Sequence, residues 1–213
     1  MKRPIAEKFS ASNEETVRLI DTYPLAWIVA GAGTEAKASL LPLRAVVADD
    51  GRITALMGHC ARANEVVAAL RANPAAVVLF LGPHGYISPS WMRDRTQAPT
   101  WNYASARFAV RITLVDDARA LRDHLDDLVQ AMERKIGGRW SVADMGPRFE
   151  SLAERIVAFR ADVVSHHVKF KLGQDERDDV FDDILAALAA GDDRALLDLM
   201  TAFNRNRAGR EGD

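Results

Sequence analysis

One cysteine in 213 residues, Cys60, leaves no possibility of an internal disulfide, and a reducing, cytoplasmic setting is the expectation. Long apolar runs are missing too. The longest, Ala75 to Gly82, is about eight residues, far short of the roughly 20 that span a bilayer, so no membrane partner is expected. Residues 1–10 contain Lys2, Arg3, Pro4, Glu7 and Lys8 but no apolar core, which predicts that they are not a secretory signal. Neither charge dominates: 28 Lys+Arg face 30 Asp+Glu, for a formal net charge of −2. The sequence pI is near 6.2, whereas a domain that grips DNA through a basic face often exceeds a pI of about 9. Whole-chain attraction to nucleic acid is therefore not expected. The five histidines show no metal-ligand spacing, and the adjacent pair His166-His167 would point to opposite faces of a strand. A Walker loop, a G-x-G-x-x-G fingerprint and a nucleophile elbow are all absent. No residue stands out as a general acid or base, and no catalytic residue is named.

What is present is a chain 48% hydrophobic, enough for one sizeable core or two small ones. Asn13 to Asp21 predicts a short helix stopped by Tyr23-Pro24. Leu25 to Ala30, Ala38 to Val47 and Ile53 to Gly58 read as strands, the last two joined at Asp50-Gly51, a hairpin signal. Asn64 to Arg71 reads as a helix with Asn64 as N-cap. Ala75 to Leu81 is a buried strand, resumed at Tyr86-Ile87-Ser88 after a turn, and 89–102 is a polar loop. Tyr103 to Val115 alternates apolar and polar residues, the period of a half-buried strand. A helix from Asp116 to Ile136 carries Leu121, Leu125, Leu128, Val129 and Met132 at helical spacing and ends at Gly137-Gly138. One turn near Pro147 to Leu152, a long strand from Ile156 to Phe170, and two helices broken at Gly191-Asp192 complete the chain. Six or seven clustered strands with helices outside them predict an α+β barrel rather than an alternating βαβ sheet.

Four segments hold the candidate chemistry. Gly58 to Asn64 (GHCARAN) joins a strand to a helix, where free N–H groups, the positive end of the helix dipole and the planar fork of Arg62 suit a phosphate; read alone it is either such a site or an ordinary strand-to-helix loop with one Arg. His59 there is either a satisfied loop histidine or a contributor, and Cys60 reads as a small packed residue. Gly82 to Trp91 (GPHGYISPSW) is a stiff loop offering either a structural crossing or a wall for a flat ring. Pro99 to Tyr103 (PTWNY) supplies Thr100 and Asn102, which either bond a heterocycle edge or cap a strand. Lys169 to Gln174 (KFKLGQ) sets Lys169 and Lys171 on one side of a strand end, a basic pair or two solvated lysines.

In order and wording these segments, with Tyr23-Pro24-Leu25 and Leu41-Pro42-Leu43, resemble the PaiB-type family of FMN-binding negative transcriptional regulators, related to pyridoxamine-phosphate oxidase-like flavoproteins. The resemblance runs from about residue 4 to residue 190. It implies an FMN-binding split β-barrel with peripheral helices over residues 1–175 and a C-terminal helical extension over 176–213. It also implies FMN as cofactor and a homodimer with the cofactor at the subunit interface. His59, Ala61, Arg62, Ala63 and Asn64 would cradle the FMN phosphate, Arg62 and Asn64 most directly. Ser39, Leu40, Leu41 and Leu43 would run along the flavin ring, with Trp101 and Asn102 nearby. Lys169 and Lys171 would reach the site late in the chain. The sequence departs from the family at Leu40, where a histidine is usual, and at Asp175, where the motif usually has Asn. The implied role is negative transcriptional regulation; a flavin-dependent oxidoreductase is the alternative, and a barrel that has lost its cofactor is the third reading. Direct DNA contact would fall to Arg93 and Arg95 or to Arg205, Arg207 and Arg210.

Overall fold

Residues 8–204 are described in the computed structural model of the chain. Its six strands are β1 (Leu25–Ala30), β2 (Lys37–Val47), β3 (Ile53–Ala61), β4 (Ala75–Ile87), β5 (Thr100–Val115) and β6 (Ile156–Lys171). They close into a barrel in the order β1-β2-β3-β6-β5-β4. The α-helices are α1 (Asn13–Thr22), α2 (Glu65–Ala72), α3 (Ala118–Ile136), α4 (Arg148–Ala153), α5 (Asp178–Ala190) and α6 (Arg194–Phe203). A closed barrel of six strands with helices outside it is the expected α+β architecture.

The described residues fall into two compact units: 13–80 with 107–167, and 8–12 with 81–106 and 168–204. In the first, β1 pairs antiparallel with β2 and with β4, and β3 pairs antiparallel with β2 and β6. Leu43, Gly58 and Phe159 lie directly across from one another on β2, β3 and β6, and both large side chains are fully buried. Alternation then assigns the faces: Leu43 inward puts Leu40 and Arg44 outward, and Gly58 inward puts Met57 and His59 outward. Helix α2 packs on β1 and β2 through Val66, Val67 and Leu70. Helix α3 starts at Asp117, whose carboxylate accepts from Ala120 N–H, and stops where Gly137 turns into the left-handed region at φ +68°.

In the second unit, α5 and α6 pack on each other, and Arg93 ties the loop after β4 to α5. Its backbone N–H and its Nε both donate to the Asp183 carboxylate, at 2.8 and 2.9 Å.

Element boundaries follow the sequence expectation to within two residues except in three strands: β3 runs on past Gly58 to Ala61, β5 begins at Thr100 inside the expected 89–102 loop, and β4 is longer than expected. A turn is expected between Leu81 and Tyr86, but the strand runs unbroken to Ile87. Its alternation of buried and exposed residues slips by one at Gly82 and Pro83, which are both buried. The glycine and proline that signal a turn serve here to change which face the strand presents. Among the described residues no helix is long and apolar enough to cross a membrane.

Candidate functional site

The GHCARAN stretch is divided by the barrel wall. Gly58 and Cys60 face the core, where burial pushes the Cys60 thiol up from its ordinary value, away from the reactive thiolate. A tight turn follows β3, closed by Asn64 N–H donating to the Ala61 carbonyl at 2.9 Å. Ala61, Arg62 and Ala63 are exposed on it.

Asn64 then does two things. Its Oδ1 accepts from Val66 N–H at 3.1 Å, capping α2 as the sequence predicts, and its Nδ2 donates to Ser39 Oγ at 2.7 Å. The second bond brings β2 to the N-terminus of α2, where the next orphan N–H groups and the helix dipole favour an anion. Lys37, paired with Glu65 at 3.4 Å, adds a cation at the same end.

Arg62 points away from this pair. Its Nη1 meets Asp116 at 2.5 Å and its Nε donates to the Glu154 carbonyl at 3.0 Å. On β2, Leu40 is exposed, Ser39 and Leu41 are half-buried, and Leu43 lies wholly in the core, so a ligand on the barrel surface meets only the backbone of Leu43.

His59 lies beneath α3 rather than beside Asn64. Its Nδ1 is 3.2 Å from Nε2 of His124, which is buried on that helix. Beside His124 is a cleft of about 330 Å³ lined by Arg44, Met57, Asp123, His124 and Asp127 among others. Arg44 spans it, donating to Asp127 at 3.0 Å and to Asp21 at 2.5 Å, while Lys135 donates to the Asp21 carbonyl. Burial, then the charge of His59, pushes His124 down to about 4, and burial also lowers His59. None of Arg44, His124 and Asp127 is a sequence-predicted site residue. The visible signal was weak: a histidine on an otherwise amphipathic helix whose partner lies 65 positions away.

The other predicted residues belong to the second unit. Trp101 is exposed, with Tyr86 edge-on at 6.1 Å and His84 stacked at 6.5 Å between centroids. Asn102 is buried with its Nδ2 3.6 Å from Met200 Sδ. Lys169 Nζ sits between the rings of Phe9 and Tyr103, at 5.7 and 5.6 Å, and Lys171 donates to Thr100 Oγ1. Asp175 pairs with Lys8 at 3.4 Å, and Gln174 closes its own loop by accepting from Leu172 N–H. Arg93 is committed to Asp183, which raises its pKa; Arg95 is exposed. Arg205, Arg207 and Arg210 lie outside the described residues.

Burial of His59 and His124, with their contact second, makes stability pH-dependent. Both groups are depressed in the folded chain, so the unfolded chain, with an ordinary value near 6.5, binds protons first. The stabilisation is present above pH ~6.5 and is lost as pH falls towards about 4. Denaturant melts should show the wild-type unfolding free energy falling by on the order of 2 kcal/mol between pH 7.5 and pH 5, and His124→Gln should flatten that slope. An identical slope in the variant would assign the acid sensitivity elsewhere.

Comparison with known proteins places these features in a group. The family model FMN_bind_2, described as "Putative FMN-binding domain", matches residues 5–165. The Bacillus subtilis (strain 168) "Protease synthase and sporulation protein PAI 2" is 26% identical over 134 residues, covering 62% of this chain and 64% of that protein. An uncharacterised Emericella nidulans protein, AN0679, is 28% identical over 132 residues, 53% of each chain. The match thus spans less than two thirds of the length of both curated relatives. Among solved structures, the FAD and heme binding protein from Mycobacterium smegmatis superposes with a TM-score of 0.59 at 21% identity, over 87% of this chain and 80% of that one. The flavocytochrome Anf3 from Azotobacter vinelandii gives 0.55 at 13% identity, over 79% and 72%.

Proposed function

Because the chain belongs to the FMN-binding domain family FMN_bind_2, we propose that it is a cytoplasmic, homodimeric FMN-binding protein whose role is regulatory. The observation that carries the cofactor is the Ser39–Asn64 hydrogen bond at the start of α2. It fixes a hydroxyl and an amide at a helix N-terminus that already favours a phosphate. Arg62 stands on the exposed turn immediately before it, and its present partner is an exposed carboxylate, an ion pair worth at most about 1 kcal/mol. Turning the guanidinium from Asp116 to a dianionic phosphate exchanges a weak pair for a stronger, bidentate one. In this reading Asn64, Ser39 and Arg62 hold the phosphate, Leu40 and Leu41 border the ring, and the bound flavin supplies redox-active ring chemistry while the protein orients it.

The outer face of the barrel supports the dimer. Leu40, Trp27 and Leu79 stand directly across from one another on β2, β1 and β4 and are 47%, 49% and 39% exposed. Three large apolar side chains in one row on a solvent face are the kind of patch that a partner surface covers. A second copy of the chain would cover it, and Leu40, where the family usually has histidine, then adds to the contact.

The regulatory role rests on the family resemblance and on a relative named for protease synthase and sporulation. The near-neutral charge balance and the pairing of Arg93 with Asp183 favour action through a protein partner over direct base reading; NAD(P)H consumption would instead favour the oxidoreductase. Purified protein should be yellow and release about one FMN per chain on denaturation, and sedimentation of the same sample should give twice the chain mass. A colourless protein that takes up no added FMN would overturn the cofactor, and a monomer at micromolar concentration would overturn the dimer.

A further inference from the structure

The His59–His124 pair has a geometry that the flavin reading does not use. The two nitrogens are 3.2 Å apart, and two metal–nitrogen bonds of roughly 2.0–2.1 Å would subtend about 100° across that gap, between octahedral and tetrahedral angles. The rings come from separate elements: β3 fixes His59 through its pairing with β6, and α3 fixes His124 through the buried Leu121, Leu128 and Ala131 around it. We propose that His59 and His124 form a two-ligand site for a divalent first-row transition ion of the zinc, cobalt or nickel class, its remaining positions on the side where His124 borders the cleft.

Local charge suits a cation. Asp123, Asp127 and Asp21 face the region against Arg44 and Lys135, and Arg44 is already neutralised by Asp127 and Asp21. Without the ion the contact is an N–H···N hydrogen bond with one proton between the two nitrogens. Binding moves that proton to the other nitrogen of the donor ring, so both facing lone pairs are free and no net proton is released. Among the described residues no three His, Cys, Asp or Glu side chains converge on one point. The ion's other ligands are then water or an exogenous molecule held in the cleft of about 330 Å³.

This inference is independent of FMN, and its test needs none. Chelator-treated protein is titrated with ZnCl2 by calorimetry, and with Co(II) by its visible ligand-field bands. One ion per chain is expected, with affinity falling by at least roughly 100-fold in His59→Gln and in His124→Gln, beyond what loss of a supporting residue alone produces. Folded variants that bind as tightly as wild type would move the ion to other histidines, such as the exposed His166 and His167, and overturn the proposal. Should either variant fail to fold, the wild-type histidine ring NMR signals decide. Zinc must shift those of His59 and His124; unmoved signals sink the site.

Discussion

Gly58→Ala is expected to be among the most damaging single-methyl additions to this chain. A Cβ at position 58 would fall 2.5 Å from Phe159 Cζ and closer still to Leu43 Cδ2. Both neighbours are fully buried and are fixed by direct cross-strand pairing with Gly58, so neither has free space to swing into. Overpacking a core usually costs about 1–3 kcal/mol, and a clash with two rigid neighbours on opposite sides puts this site at the top of that range or above it. Denaturant unfolding should show a lower midpoint with an unchanged slope, the signature of lost stability without a new unfolded state. Phe159→Leu in the same background should restore part of the loss, because it removes the atom that clashes. An alanine variant as stable as wild type would mean that the strand relaxes here, and the face assignment of His59 would then need another basis.

The second large effect concerns the flavin. Arg62→Ala should weaken FMN binding by roughly 10- to 100-fold, the equivalent of one charge-assisted hydrogen bond of about 1.5–3 kcal/mol. Asp116→Asn should do the opposite, because it releases the guanidinium from its 2.5 Å ion pair while leaving the fold intact. A several-fold gain is expected, bounded by the small worth of an exposed pair. Fluorescence titration of FMN with each variant measures both. The pair of results is diagnostic: a loss in Arg62→Ala with no gain in Asp116→Asn would mean that Arg62 acts from where it lies. Unchanged affinity in Arg62→Ala would remove it from the phosphate site and leave Ser39 and Asn64 to hold the anion.

Local chemistry set much of what could be read in advance. The α2 cap at Asn64 and the end of α3 at Gly137 follow from hydrogen-bonding needs within a few residues, and the alternation in β5 follows from the two-residue period of a strand. These were legible because each depends only on neighbours along the chain. The same logic failed at Gly82-Pro83, where two turn-forming residues lie inside a continuous strand because its pairing overrides their local preference.

The division of labour within GHCARAN was not legible. Seven consecutive residues look like one phosphate loop, yet Gly58 serves the core, His59 meets α3, Arg62 reaches Asp116 and only Asn64 meets Ser39. Strand alternation sends successive side chains to opposite sides of a wall, and what waits on each side is brought there by segments 15 to 101 residues distant. The sequence by itself determined most of the elements, the family and the cap. Tertiary structure alone decided that two histidines 65 positions apart would share one contact, because register and helix docking, unlike periodicity, are settled only when the whole barrel closes.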